Sequence, residues 1–307
     1  MTPLELIGNT RLIPLRRVVP DGSATILLKL EYENPTGSMK DRMALAMVEG
    51  AERDGRLRPG GCVVEYTGGS TGVSLAFVCA AKRIPLKIVT SIAASAEKRT
   101  HMAALGAQLT LVEAPGGVTT RELILVMIET ARRLAMEPGS FWTDQFNNRD
   151  QVGAYTKMAD EIWEQTGGRI STFVQSVGTC GSLRGTATRL REHDPDIRVI
   201  AVEPAESAVL SGGPSGSHRI EGTGAGFVVP HWEPSLASEV IAVSSSEAMA
   251  MARRLACEEG VFAGTSTGAN VVVALREAAR LGPGATVVTV AVDTGMKYLS
   301  TEQYRSA

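Results

Sequence analysis

Short apolar runs rich in β-branched residues alternate along this chain with longer stretches of helical spacing. CVVEY (62–66), LKIVTSI (86–92), AQLTLVE (107–113), STFVQSV (171–177), IRVIAVE (197–203) and ATVVTVAV (285–292) predict strands, the last one buried on both faces by its near-continuous apolar run. Between them, VSLAFVCAA (73–81), SAEKRTHMAAL (95–105), TRELILVMIETARRLAM (120–136), TATRLRE (186–192) and EAMAMARRLACEEG (247–260) predict helices. Ser95 is placed to cap the second of these and Gly106 to end it; Ser245 or Ser246 is placed to cap the last. Strand–helix alternation of this kind predicts an α/β protein of two lobes, with mostly parallel sheets, flanking helices and a cleft between the lobes. The glycine-rich stretch SGGPSGSHRIEGTGAGF (211–227) is too long for an idle connection and is expected to serve the cleft.

A length of 307 residues suits about two domains of ~150 residues each. The 44% hydrophobic content supports a large core, and a net charge of -2 argues against a dedicated nucleic-acid binder. Cys62, Cys79, Cys180 and Cys257 are widely spaced, and His101, His193, His218 and His231 show no metal-ligand spacing. Reduced cytosolic thiols are expected rather than a disulfide framework, and no metal. The start MTPLELIGNTRLIPL lacks the pattern of a signal peptide, and no apolar stretch reaches the ~18 residues of a membrane span. A cytoplasmic, globular protein is expected.

Chemistry concentrates in the turns. In NPTGSMKDR (34–42), Lys40 falls where a helix begins, the end at which the dipole disfavours a cation. A lysine of weakened proton affinity there is a nucleophile able to form a Schiff base, although the nonapeptide alone reads more simply as a solvated surface lysine. SVGTCGSLRG (176–185), YTGGSTGVSLA (66–76) and EGVFAGTSTGAN (259–270) each follow a strand and open a helix. Their freed amides and hydroxyls form anion cradles, or equally plain tight turns when each is taken alone. None matches GxxxxGK[ST] or GxGxxG, which disfavours a nucleotide triphosphatase and ranks a dinucleotide dehydrogenase last.

Taken in order, LIGNTRLIPL, NPTGSMKDR, TGGSTGVSLA, GTCGSLRG, VLSGG, GTGAGF, EGVFAGTSTGA and VDTGMKYLS resemble the cysteine synthase (O-acetylserine sulfhydrylase) family of fold type II pyridoxal-phosphate enzymes, over nearly the whole chain. The resemblance implies that Lys40 carries pyridoxal 5'-phosphate as an internal aldimine and later removes the substrate Cα proton. It implies that Gly178, Thr179, Cys180, Gly181 and Ser182 hold the phosphate, that Ser70 meets the cofactor's 3-oxygen, and that Thr294 faces the pyridine nitrogen, with Asp293 its immediate neighbour. Thr67, Gly68, Gly69, Ser70 and Thr71, with Gln145, would bind the substrate carboxylate, and Gly222 would line the mouth of the cleft. The implied reaction is β-replacement, in which O-acetyl-L-serine loses acetate through an aminoacrylate and sulfide adds to give L-cysteine. A homodimer and a serine acetyltransferase partner are implied as well, as are lobes of residues 42–146 and of residues 1–41 with 147–307.

The chain departs from that family where substrate would sit. TGGSTG stands for the usual TSGNTG, GTCG for GTGG, and KMADEIW (157–163) for TTGPEIW. Gly68 removes a hydroxyl, and Ser70 replaces a longer amide. These changes leave open another β-substituted alanine synthase, a cystathionine β-synthase-like condensation, a serine/threonine dehydratase or, remotely, an idle scaffold of the same fold. No appended regulatory domain is expected, which disfavours the larger allosteric relatives.

Overall fold

A computed structural model of the chain describes residues 2–117 and 119–304. Its strands are Leu12–Pro14 (β1), Thr25–Lys29 (β2), Cys62–Tyr66 (β3), Leu86–Ser91 (β4), Gln108–Val112 (β5), Ser140–Trp142 (β6), Thr172–Ser176 (β7), Arg198–Pro204 (β8), Glu239–Val243 (β9) and Thr286–Val290 (β10). Its helices are Lys40–Asp54 (α1), Ser70–Lys82 (α2), Ala96–Ala104 (α3), Arg121–Ala135 (α4), Asp150–Thr166 (α5), Gly181–His193 (α6), Ser245–Arg254 (α7) and Thr265–Leu281 (α8). Every strand and helix expected from the pattern is present, within a few residues at each end. Among the described residues no helix is long and apolar enough to cross a membrane.

Two sheets result. One has six strands in the order β1-β2-β10-β7-β8-β9, the other four in the order β5-β4-β3-β6. All pairings are parallel except β1 with β2, where Leu12 lies opposite Lys29. The larger sheet shows why its central strand β10 reads as a near-continuous apolar run. Successive side chains point to opposite faces, and each face is covered. Phe173, Val199, Ala201 and Val288 join the core shared with α1, α5, α6 and the smaller sheet. Val174, Ile200, Val202 and Val287 join a second core built with α7 and α8.

Helix starts fall into two groups. Ser95 caps α3 by accepting from Lys98 N, Thr120 caps α4 by accepting from Leu123 N, and Ser244 caps α7. That last cap lies one residue before the pair expected, because Glu247 stands three residues after Ser244 and completes a reciprocal capping box. By contrast α1, α2, α5, α6 and α8 begin without a side-chain cap on the residue before the helix. In α1 the first amides are taken by Ser38 and in α5 the first is taken by Asn148, whereas at the starts of α2, α6 and α8 some first-turn amides are left as donors.

The lysine turn is held by a buried ion network. Arg42 Nε and Nη2 donate to the two oxygens of Glu31 at 2.7 Å each, and Nη1 and Nη2 donate to Glu161 at 2.7 and 2.8 Å. Lys29 Nζ lies 2.7 Å from Glu161 Oε2. Asn34 Nδ2 bonds Glu31 as well, and Asp41 accepts from both the amide and the hydroxyl of Thr36. Residues 34–42 are therefore pinned on both sides of Lys40.

Candidate active site

Loops at the carboxyl ends of strands from both sheets surround a cavity of about 670 Å³, the place where α/β sheets bind ligands. A narrow chamber behind it shares Lys40, Gly178, Thr179 and Gly222 as walls and adds Gln175, Cys180, Ser182 and Ser266. Four of the five uncapped helices begin here: Lys40, Ser70 and Thr265 line the main cavity, and Cys180, the residue before α6, lines the chamber. Converging positive dipole ends suit a ligand carrying several negative charges.

The structure brings most of the expected residues together. Lys40, Thr67, Gly68, Gly69, Ser70, Thr71, Gln145, Gly178, Thr179 and Gly222 line the main cavity. Cys180 and Ser182 line the chamber, and Gly181 opens α6 beside them. The Lys40 amine makes no hydrogen bond or ion pair with any described residue, and burial lowers its proton affinity while the Asp293 carboxylate offsets part of that effect. An amine so placed is closer to the neutral, nucleophilic form than a solvated one. Burial pushes the Cys180 thiol up to about 12, so this residue is an inert wall rather than a nucleophile.

In the TGGSTG loop, Thr67 Oγ1 accepts from the amides of Gly69 and Gly72, and Thr71 Oγ1 donates to Gln145 Oε1 at 2.8 Å. Gly69 has a φ of 145° and lies against the Lys98 stem, so a Cβ would fall 2.3 Å from Lys98 Cδ. Gly68 has open space where a side chain would go. The Ser70 hydroxyl donates to Asp293 Oδ2 at 3.0 Å, which also accepts from Tyr298. Lys98 sits 4.2 Å over the Tyr298 ring and pairs with Glu221 of the 211–227 loop, so this loop closes one side of the cavity.

Thr294 lines neither space. Residues 293 and 294 bridge to Ser38 and Ala263. That register turns the Thr294 methyl group onto Gly37, where a Cβ would lie 2.6 Å from it, while the hydroxyl accepts from Met296 N. Besides Thr179 and Ser182, a further hydroxyl that reaches the chamber is Ser266, buried at the start of α8 and without a hydrogen-bond partner among the described residues. Its signal was present in the chain, since EGVFAGTSTGAN is the third of the glycine-rich turns, although this turn follows a helical segment, Leu255–Glu259, and not the strand expected.

An unpaired amine, an uncapped helix start beside Thr179 and Ser182, and a free buried hydroxyl fit a phosphorylated aldehyde with a basic ring. The chain belongs to the family of pyridoxal-phosphate dependent enzymes, which its residues 4–293 match. Over 302 residues it is 42% identical to the cysteine synthase of Staphylococcus aureus, spanning 98% of this chain and 96% of that one. Its structure superposes with a TM-score of 0.93 on the cysteine synthase of Entamoeba histolytica, at 36% identity, covering 100% of this chain and 91% of that one. It is similar as well, with a TM-score of 0.92 and 34% identity over 99% of this chain and 98% of the other, to an O-acetylserine dependent cystathionine beta-synthase from Helicobacter pylori.

The cradle can be tested at one backbone contact. A Cβ on Gly178 would lie 2.3 Å from the Gly222 carbonyl oxygen. Gly178→Ala must therefore push the two loops apart, and cofactor retention, followed by visible absorbance during dialysis, is expected to fall by about tenfold or more, the scale of a lost charge-assisted hydrogen bond.

Proposed function

We propose that this enzyme performs β-replacement on O-acetyl-L-serine, with sulfide entering as acetate leaves, to give L-cysteine. The observation that carries the reading is the unpaired Lys40 amine, standing between the TGGSTG loop and the 178–182 cradle. Pyridoxal phosphate, when bound, supplies the electron sink that makes the substrate Cα proton removable. The protein's own groups do the rest. Gly178, Thr179, Cys180, Gly181 and Ser182 with the start of α6 hold the phosphate, and the Ser266 hydroxyl is available to the ring nitrogen. A neutral hydroxyl there, unlike a carboxylate, would not hold that nitrogen protonated, which would favour elimination over amino-group transfer.

Thr67 to Thr71 and Gln145 orient the substrate carboxylate with amide and side-chain donors, which places the Cα hydrogen toward Lys40. Lys40 would hold the cofactor through its amine, and the same amine, freed when substrate binds, would serve as the general base for that proton. Ser70 steadies the loop through Asp293 rather than through a long amide.

A second reading concerns the nucleophile. Gly68 leaves open space in a cavity of about 670 Å³, more room than sulfide needs. A thiol-bearing amino acid would fit it, and the Helicobacter pylori relative carries the name of such an enzyme. One titration separates the two. O-acetyl-L-serine is expected to shift the cofactor's visible band, and the nucleophile that restores it with product release is the substrate; no shift with O-acetyl-L-serine would overturn the acetylated donor itself.

The same proposal includes a homodimer, a serine acetyltransferase partner and a cytoplasmic setting, the last supported by four cysteines that are all free. It includes the division into lobes of residues 42–146 and of residues 1–41 with 147–307, supported by the way the two sheets divide along the chain.

A further inference from the structure

Glu65, on β3, is a fully buried carboxylate with no cation beside it. Four donors converge on it instead. Its Oε1 accepts from Tyr66 N at 2.8 Å and from Trp142 Nε1 at 3.5 Å; its Oε2 accepts from Thr143 Oγ1 at 2.6 Å and from Gln145 N at 2.9 Å. No described residue pairs with it as a cation, and the titratable groups whose charge reaches it are Asp144 and the Tyr66 phenol. Three of the four are N–H groups that can only donate, the fourth is a hydroxyl, and an ionised carboxylate, which only accepts, satisfies all of them at once.

The groups Glu65 holds are those of the substrate site. Gln145, anchored through its amide, donates from Nε2 to Tyr66 O at 2.8 Å and accepts from Thr71 at Oε1. Its carbonyl accepts from Gln151, whose Oε1 accepts in turn from Thr179 in the phosphate cradle. One carboxylate thus stands at the root of a hydrogen-bond chain reaching both anion-binding loops. We infer that Glu65 is a positioning residue for substrate recognition, whose negative charge keeps Gln145 and the Thr67–Thr71 loop in register, so that the grip on an amino-acid carboxylate depends on Glu65 being ionised.

The charge is held at a cost. Burial pushes the Glu65 carboxyl up to about 7, with the bonds from Thr143, Gln145 and Tyr66 holding it back and Asp144 pushing it further. A folded-state value above the ordinary 4.5 means that ionised Glu65 opposes folding: its contribution to stability is greatest below pH 4.5 and is lost as pH rises through about 7. Substrate binding has the opposite sign, because a proton on Glu65 either meets an N–H donor or turns the Thr143 hydroxyl away to Val64 O, and in both cases the charge that holds the Gln145 amide is gone. A residue that merely filled space would show no such opposition.

The inference rests on the amino-acid reading of the site but not on turnover. L-serine is therefore the probe, titrated into holoenzyme between pH 6 and 8 and read by the cofactor's visible band. In the wild type its affinity is expected to weaken as pH falls through about 7. Glu65→Gln, which brings donors to a ring of donors, is expected to bind about tenfold more weakly at pH 8, the scale of one buried unsatisfied group, and to lose the pH dependence. Thr143→Val removes one donor and keeps the charge, so its weakening is expected at higher pH; this variant decides the matter if Glu65→Gln does not fold. The amine of L-serine titrates alike in all three, so the differences belong to the protein. An unchanged affinity–pH curve in Thr143→Val, or wild-type binding by Glu65→Gln, overturns the inference. If L-serine binding follows the expected pattern while O-acetyl-L-serine and sulfide give no cysteine, the proposed reaction falls and the role of Glu65 stands.

Discussion

Lys40→Ala is expected to reduce turnover by about 10⁴-fold while the protein stays folded, because in the proposed mechanism a single amine both tethers the cofactor and moves the proton. The side chain makes no structural bond that its loss would break, and α1 is held instead by Asp41 and Arg42. Thermal unfolding of the variant should therefore match the wild type within about 1 kcal/mol, as for a substitution that touches no packing or pairing. Lys40→Arg is the informative companion. It keeps a long cationic side chain but cannot give up its proton near neutral pH, and so it should be as inactive as the alanine. Recovery of activity in Lys40→Arg would show that Lys40 acts by charge alone, and the assignment of tether and base would be wrong.

Removing the guanidinium next to it should break the fold rather than the chemistry. In Arg42→Met, Glu31 would remain in the core with only Thr10 and Asn34 as partners, and breaking a buried pair from one side costs about 3–5 kcal/mol. Arg42→Lys should recover little, since a point charge cannot serve two carboxylates held by a planar fork. The sign of the pH dependence follows from Glu161. Burial pushes this carboxyl up, but Arg42 and Lys29 more than offset that and hold it at about 2. Its contribution is thus present above the ordinary value of 4.5 and lost as pH falls through about 2. Urea unfolding should show the gap between wild type and Arg42→Met at its full width near neutral pH and narrower at pH 3. A constant gap would show that Arg42 acts by packing.

How much of this was legible in the chain depends on how local each signal is. The strand at 286–290 was plain because burial on both faces leaves a near-continuous apolar run, and those at 62–66 and 86–91 because short β-branched runs stand just before a turn and a helical pattern. The three glycine-rich turns were plain because they need particular residues within a few positions. By contrast β2 pairs with β10, more than two hundred residues away, and nothing near TILLK announces that partner. The hydrophobic pattern does not mark α5 either; its faces are shared between α1 and α6.

Side-chain direction was the other blind spot. Asp293 and Thr294 are adjacent, and only the bridges to Ser38 and Ala263 decide that one reaches Ser70 while the other turns to Gly37. Glu65 reads as a polar interruption in CVVEY, the position alternation would assign to solvent; the donors that justify its burial come from residues 142–145.

The order of strands in the larger sheet has a consequence for how the chain is made. Its centre is occupied by β10, which pairs with β2 on one side and β7 on the other. During synthesis the earlier strands therefore emerge with a gap where the middle of the sheet belongs, and the nascent chain must wait, with sheet edges and apolar faces uncovered, until residues 286–290 arrive. The smaller sheet, whose strands all lie between residues 62 and 142, can pair long before that. Lys40 is joined to the same late event, because Met39 N donates to Val292 O just past β10. A ribosome-bound chain stalled before residue 286 should be unable to capture pyridoxal phosphate however long it waits, and chaperone demand should peak in that interval.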